Sequence, residues 1–418
     1  MSPTEDRDLR RRLARLGRRA ANAGPEEPPI RSAPIISDEG LEGEILETSR
    51  GPTYYIESRF PIHHVHGSEP LASLLDFRPE LAAQVARDEQ LASIDLHGLA
   101  FIDTETTGLS GGAGTLVFLV GLGHFLADEF VLRQYFLRDP GEEAAMLVAL
   151  QTYLDEAAGF VTFNGRAFDL PMLETRYMLG LKRSLSIASR PHLDLLHPSR
   201  RLWRRQLADC RLGTIETGVL GISRTEEDVP GSEIPGLYIE YLKTGETSQM
   251  RRVVYHNAID ILSLVGLATE VLRRFETATP NELSPSEALA VARWHERAGR
   301  TRRAEAAYQE AAESDAGSEL RREALRRWGT HLKRQSRYPE AVNVWKAWHE
   351  LSPEDPIPCI ELAKQAEWRD HDLAAARAWA EAALICLSHW PEGWRREQVW
   401  QALEHRLARL ARKQEAAP

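Results

Sequence analysis

The sequence predicts two structural classes in one chain: an α/β domain, a mixed β-sheet flanked by helices, followed by an all-α domain of helical repeats. Three observations carry this reading. Residues 99–275 alternate short apolar, strand-like runs with helix-like segments. Residues 286–412 repeat a spacing of small and aromatic residues with a helical period. The length, 418 residues, suits two to three domains, and 43% hydrophobic with 27% charged residues is the balance of a globular protein.

Composition also sets limits. Cys210, Cys359 and Cys386 lie far apart with no CxxC pair, so the sequence offers neither a disulfide framework nor a zinc knuckle and fits a reducing cytosol. The longest apolar stretch, residues 116–127, is too short to cross a bilayer and is interrupted by Gly121, Gly123 and His124. The N-terminus lacks an apolar signal core. A cytoplasmic protein without a membrane partner is expected. The net charge of −10 argues against coating nucleic acid by charge alone. Local basic patches do exist: residues 7–19 hold seven Arg against one Asp, and residues 196–211 hold five Arg against one Asp.

Along the chain, residues 1–35 read as an Arg-rich arm and linker without fixed structure, either a solvated tail or a phosphate-binding arm. Residues 36–98 form a β-rich lead-in followed by helix, with strand-like residues on both sides of the turn Arg50-Gly51-Pro52. His63, His64 and His66 follow, but alternation splits them between two faces and no Cys or carboxylate sits at a ligand spacing, so they are read as structural. From 99 to 276 the order is strand (99–103), a turn-prone stretch (106–114), strands at 116–125 and 130–137, a helix at 140–157, a strand at 159–163, a helix from 169 to 179, and helices ending at 253–275. Residues 277–285 form a linker. Beyond it Ala304/Tyr308/Ala311, Ala341/Trp345/Trp348 and Ala375/Trp379/Ala382 share offsets of +4 and +7, with steps of 37 and 34 residues between copies. This period resembles tetratricopeptide repeats: three helix pairs and a capping helix over 393–412, stacked into a solenoid that suits a protein partner.

The chemistry begins at Asp103 and Glu105, two residues apart at the end of an apolar strand and therefore on one face. Two adjacent carboxylates repel unless a cation neutralises them, and a hard divalent ion such as Mg²⁺ or Mn²⁺ takes carboxylate oxygens readily. A second piece is the turn Asn164-Gly165 with Asp169 in the early turns of the next helix. In the third, His256 and Asp260 are four apart on a helix and share a face, while Tyr255 points elsewhere.

Asp103, Glu105, Asp169 and Asp260, in this order, resemble the four metal-binding acids of the DEDD exonucleases on the ribonuclease H-like fold. More narrowly, the stretches DTETTGLSGGAGTLVFLVGLG, FNGRAFDLPMLETR, DVPGSEIPGLYIEYLKTG and HNAIDILSL, followed by helical repeats, resemble the YprB-type ribonuclease H-like family. The resemblance implies an α/β ribonuclease H-like domain over 99–276 with two divalent cations, Mg²⁺ or Mn²⁺. One would sit on Asp103, Glu105 and Asp260, the other on Asp103 and Asp169. It further implies 3′→5′ hydrolysis of nucleic acid, DNA in preference to RNA, a role in DNA repair and a helicase as protein partner. DEDD enzymes take their base from Tyr four residues before the last Asp or from His five before it. Here the spacings are exchanged. The shared helix face favours His256 as the base, with Tyr255 as the alternative. The motifs nominate Thr106, Gly108, Leu109, Asn164 and Phe168 as nucleic-acid contacts. Arg201, Arg204 and Arg205, with Arg200 and Trp203, form either a strand-tracking patch with a stacking ring or a solvated helix face. Residues 110–114 are either a phosphate-approaching loop or a tight hairpin, and without GK[ST] they do not form a nucleoside-triphosphate loop. Asp194 is read as structural. The competing functions are a catalytically weak scaffold and a structure-specific endonuclease.

Overall fold

The computed structural model describes residues 41–108, 114–225, 227–277 and 282–415. The Arg-rich arm, Leu109 and residues 110–113 of the glycine-rich loop lie outside the described residues. The chain divides into two compact units between Glu276 and Thr277.

The first unit is built on a seven-stranded sheet of order β1-β2-β7-β6-β5-β8-β9. Its strands are β1 (Glu44–Thr48), β2 (Gly51–Pro61), β5 (Leu99–Thr106), β6 (Val117–Leu126), β7 (Glu129–Phe136), β8 (Gly159–Thr162) and β9 (His192–Asp194). A separate two-stranded ribbon pairs β3 (Val65–His66) with β4 (Glu69–Pro70). Pairing is antiparallel from β1 to β5 and parallel from β5 through β8 to β9. The lead-in over 36–98 is therefore not a separate unit. β2 pairs along its length with β7, from Tyr54 opposite Phe136 to Pro61 opposite Glu129, and so extends the main sheet. An exposed β7 edge would leave a row of unpaired backbone groups, and β2 satisfies them.

Among the described residues seven α-helices accompany the sheet: α1 (Pro79–Ala86), α2 (Glu143–Glu156), α3 (Asp169–Leu181), α4 (Leu196–Trp203), α5 (Leu212–Ile215, running into a π turn at Glu216–Leu220), α6 (Ile234–Thr244) and α7 (Ser248–Glu276). β6 is almost wholly buried because both of its faces are covered, which is why it reads as a continuous apolar run. Gly121 and Gly123 let α7 lie close against it: a Cβ at Gly121 would collide with the Asn257 amide, and one at Gly123 with Phe130 and Ile261. On another part of the core Tyr238 stacks on Phe118 with centroids 4.0 Å apart. His66 is buried, with Nε2 3.0 Å from Ser263 Oγ on α7, and burial pushes its imidazole down to about 4. Its role is packing.

The second unit is helical: α8 (Pro285–Arg297), α9 (Thr301–Glu313), α10 (Ser318–Arg334), α11 (Tyr338–Leu351), α12 (Pro356–Gln365, running into a π turn at Ala366–Asp370), α13 (Leu373–Ser388) and α14 (Trp394–Glu415). Each helix packs on its sequence neighbour, giving three pairs and a terminal helix, a repeat-like arrangement. Ser284 caps α8 in a reciprocal capping box with Glu287. The stripes Ala304/Tyr308/Ala311 and Ala341/Trp345/Trp348 are buried as expected of an inward face. The third stripe is shifted by one residue. Ala376, Ala380 and Ala383 are buried, whereas Ala375, Trp379 and Ala382 are only partly so. The Trp379 and His349 rings meet edge to face with centroids 5.6 Å apart.

Candidate active site

β5 carries Asp103 and Glu105 to the edge of the fold, its four apolar residues buried and its last four partly open. The pairing of β5 with β6 slips between Glu105 and Thr106, a bulge that ends the strand just past the two acids. Asp169 opens α3, where a carboxylate suits the helix N-terminus. The turn before it is set by the backbone. Asn164 takes a left-handed φ of 70°, and Gly165 leaves room where a Cβ would meet the Thr162 side chain at 2.5 Å. Asp194 fixes that turn from β9: Oδ1 accepts from the Asn164 and Leu196 amides at 2.9 and 3.1 Å, and Oδ2 from the Arg166 amide at 3.2 Å. α7 brings Asp260, buried, onto the same cluster.

The four carboxylates feel one another. Burial, then the charges of Asp260 and Asp169, hold the Asp103 carboxyl well above the usual carboxylate range, against a 2.8 Å hydrogen bond from Asn257 Nδ2. Glu105 is likewise raised well above its ordinary value by burial and by Asp103, Asp260 and Asp169. Burial pushes Asp169 up to about 6, against the Thr104 hydroxyl that donates to its Oδ1 at 2.6 Å. Asp260 is raised by burial, with His256 and Arg224 opposing. Four buried carboxylates presenting only hard oxygen donors fit divalent cations, whose charge favours the ionised forms that burial disfavours.

His256 lies one helical turn before Asp260. Its Nδ1 lies 2.7 Å from Asp228 Oδ1, which only accepts, and 2.9 Å from Arg224 Nη1, which only donates, so the ring is held from that side by both groups while Nε2 faces the acids. That Nε2 sits 3.6 Å from Asp260 Oδ2 and 3.9 Å from Glu105 Oε1. Tyr255 is directed elsewhere. It lines a cavity of about 820 Å³ with Arg251, Arg252 and Gln134, and its hydroxyl accepts from Thr225 Oγ1 at 3.3 Å.

Three site residues are not singled out by the sequence: Arg224 and Glu216, which lie in no motif, and Asp228, which lies in one but carries no assigned role. Arg224 donates to Glu216 through Nε and Nη2 at 2.6 and 2.7 Å, a forked pair on a nearly inaccessible carboxylate. The same Nη2 donates to Asp260 Oδ1, and Nη1 reaches Asp228 Oδ1 at 3.4 Å. Burial works against the guanidinium charge, but Glu216 and Asp260 outweigh it and raise Arg224 above its ordinary value. Arg224 thus supplies positive charge inside an acidic site. The only available pointer was the stretch DVPGSEIPGLYIEYLKTG, which begins with Asp228.

The expected nucleic-acid contacts separate. Thr106 Oγ1 donates to the Gly108 carbonyl at 2.9 Å and shapes the turn after β5. Phe168, next to Asp169, is 47% exposed. Arg204 and Arg205 are exposed just beyond α4, while Arg201 is partly buried with Nη1 3.5 Å from the Val85 carbonyl on α1. Trp203 is 1% exposed, which removes it as a stacking ring: α4 is amphipathic, and its indole belongs to the apolar side.

The RNase_H superfamily pattern matches residues 100–272, from the strand of Asp103 to the helix of Asp260. A Bacillus subtilis (strain 168) protein, YprB, is 33% identical over 373 residues, covering 85% of this chain and 85% of that protein. The fold is of nuclease type, and proteins of this fold generally use divalent metal ions. Among the described residues no helix is long and apolar enough to cross a membrane.

Proposed function

The chain belongs to the YprB family of the ribonuclease H superfamily, and from that membership we propose that it is a metal-dependent 3′→5′ exonuclease acting on DNA in preference to RNA, in DNA repair. The observation that carries the reading is the convergence of Asp103, Glu105, Asp169 and Asp260, each raised by the others or by burial, beside His256. Asp103, Glu105, Asp169 and Asp260 would hold two Mg²⁺ or Mn²⁺ ions, which would supply charge for the attacking and departing oxygens of a phosphodiester. The chain's own groups do the rest. Asn257 and Thr104 hold the Asp103 and Asp169 carboxylates in place. His256 takes a proton from the attacking water at Nε2, and Asp228 and Arg224 orient the ring from Nδ1. The exposed ring of Phe168 stacks the terminal base, and Arg204 and Arg205 meet the strand's phosphates. Strand polarity and repair rest on the family resemblance. The helical unit is the docking surface for a protein partner.

End-labelled single- and double-stranded DNA and RNA, incubated with Mg²⁺, Mn²⁺ or EDTA beside a circular DNA, test the reading. Stepwise shortening of linear DNA from the 3′ end, abolished by EDTA, with the circle intact, is the expected outcome. Cleavage of the circle would make the protein an endonuclease. Inertness toward every substrate with either ion would favour the scaffold, a reading supported by Arg224 occupying an oxygen of Asp260.

A further inference from the structure

The fold undoes the separation of the cysteines in sequence. In the helical unit His349, Cys359 and Cys386 come from α11, α12 and α13, and one ligand atom from each lies within 4.8 Å of the others. His349 Nδ1 is 3.4 Å from Cys359 Sγ, and Cys386 Sγ is 2.9 Å from the Pro353 carbonyl. Both cysteines are buried, at 0% and 6% exposure, and His349 is the partly open member. We propose that these three side chains form a zinc site that pins three consecutive helices of the repeat unit together, with water from the His349 side as fourth ligand.

The donor set selects the ion. Two thiolates and an imidazole are soft to borderline ligands, which zinc takes tetrahedrally, whereas the hard ions suited to the acidic cluster reject sulfur. Charge favours zinc over monovalent copper. Two thiolates and Zn²⁺ sum to zero, so the buried site carries no net charge, while Cu⁺ would leave one uncompensated negative charge. Binding exchanges two protons for one zinc ion: both S–H bonds break, two Zn–S bonds form, two protons leave to solvent and no electron moves. Three donors on three helices make ion binding a restraint on their packing, so bound zinc adds to the stability of this unit.

The test uses the full chain, reduced, stripped of metal by a chelator and kept in excess Mg²⁺ to fill the carboxylate cluster. Titration with Co²⁺ should give a thiolate-to-cobalt charge-transfer band that saturates at a single equivalent, and Zn²⁺ should abolish it. Carboxylates give no such band, so the acidic cluster cannot mimic it. Cys359→Ser, Cys386→Ser and the milder His349→Gln should each weaken or remove the band, and Cys210→Ser should leave it unchanged. In the unmutated chain, zinc should protect two thiols from alkylation and raise the thermal midpoint. The proposal fails if the native chain gives no band, if Cys359→Ser leaves the band undiminished, or if Cys359 and Cys386 alkylate equally fast with and without zinc.

Discussion

Asp103 sits where three effects meet: it shares a face with Glu105, it receives a hydrogen bond from Asn257, and its charge is opposed by Asp260 and Asp169. Replacing it by Asn keeps an oxygen acceptor for Asn257 but removes one repelling charge. Asp103→Asn should therefore abolish hydrolysis and stabilise the ion-free protein. A relief of about 1 kcal/mol lifts the thermal midpoint by about 2–4 °C in a domain of this size. Mg²⁺ or Mn²⁺ should raise the midpoint of the unmutated protein and no longer that of the variant, which thermal denaturation with and without EDTA reads directly. The base is tested by a pair of substitutions. His256→Ala should lower kcat by about 10²–10⁴-fold with KM little changed, the usual worth of a general base. Tyr255→Phe should be nearly neutral, because the Tyr255 hydroxyl pairs with Thr225 and its ring lines the cavity with Arg251 and Arg252. The reverse result would transfer the base to Tyr255. At this scale a period of two on a strand and of four on a helix is enough to bring Asp103 beside Glu105 and His256 over Asp260. Arg224, Glu216 and Asp228 follow no such period. They enter the site from a π turn and the loop after it, whose path depends on the rest of the fold.

Elements show the same divide between what is local and what is not. Residues expected at 116–125, 130–137 and 159–163 form β6, β7 and β8 nearly as read, because an apolar run bounded by turns is information held within the segment. β9, three residues long, and the register of the third repeat are set by neighbours instead: β9 by pairing with β8, and α13 by the face it buries, that of Ala376, Ala380 and Ala383. The π turn after α12 adds another long-range device. Its Glu367 is 2% exposed and accepts from Arg406, Arg409 and Lys413 of α14 at 2.5 to 3.0 Å. Burial alone would raise this carboxyl, but Arg409, Lys413 and Arg406 outweigh it and hold it at about 2, against an ordinary 4.5. Glu367→Gln leaves three cations facing one another. It should cost about 2–3 kcal/mol, below the full penalty of a broken buried pair because Arg409 and Lys413 stay partly exposed. A depressed carboxyl stabilises fully above its unfolded value. The gap between native and variant midpoints should thus be complete above about pH 4.5 and shrink as the pH falls toward 2. A gap independent of pH would mean that Glu367 acts through shape and not charge.

At the scale of the whole molecule, the change from alternating strands and helices to a purely helical period announces two units, and the chain divides between Glu276 and Thr277. What the sequence could not show is that β1 and β2 belong to the sheet of the first unit, because strand pairing across some eighty residues leaves no local mark. That assignment decides where the chain can be cut. A fragment starting at residue 99 would expose the β7 edge that β2 covers, and it should aggregate. A fragment of residues 1–276 keeps every strand, the full length of α7 and all of Asp103, Glu105, Asp169, Glu216, Arg224, Asp228, His256 and Asp260. If catalysis resides in this unit, the fragment should hydrolyse a short single-stranded oligonucleotide in Mg²⁺ with kcat within about tenfold of the full chain, since a compact unit with its own core folds alone. Activity on long or structured substrates should fall further, the helical unit and any partner it holds being absent. Circular dichroism and a cooperative melt establish that the fragment is folded before it is assayed. A folded fragment that neither binds nor cuts the oligonucleotide would move the substrate clamp to the Arg-rich helices beyond residue 285, and the acidic cluster would then act only on strands delivered by that second unit.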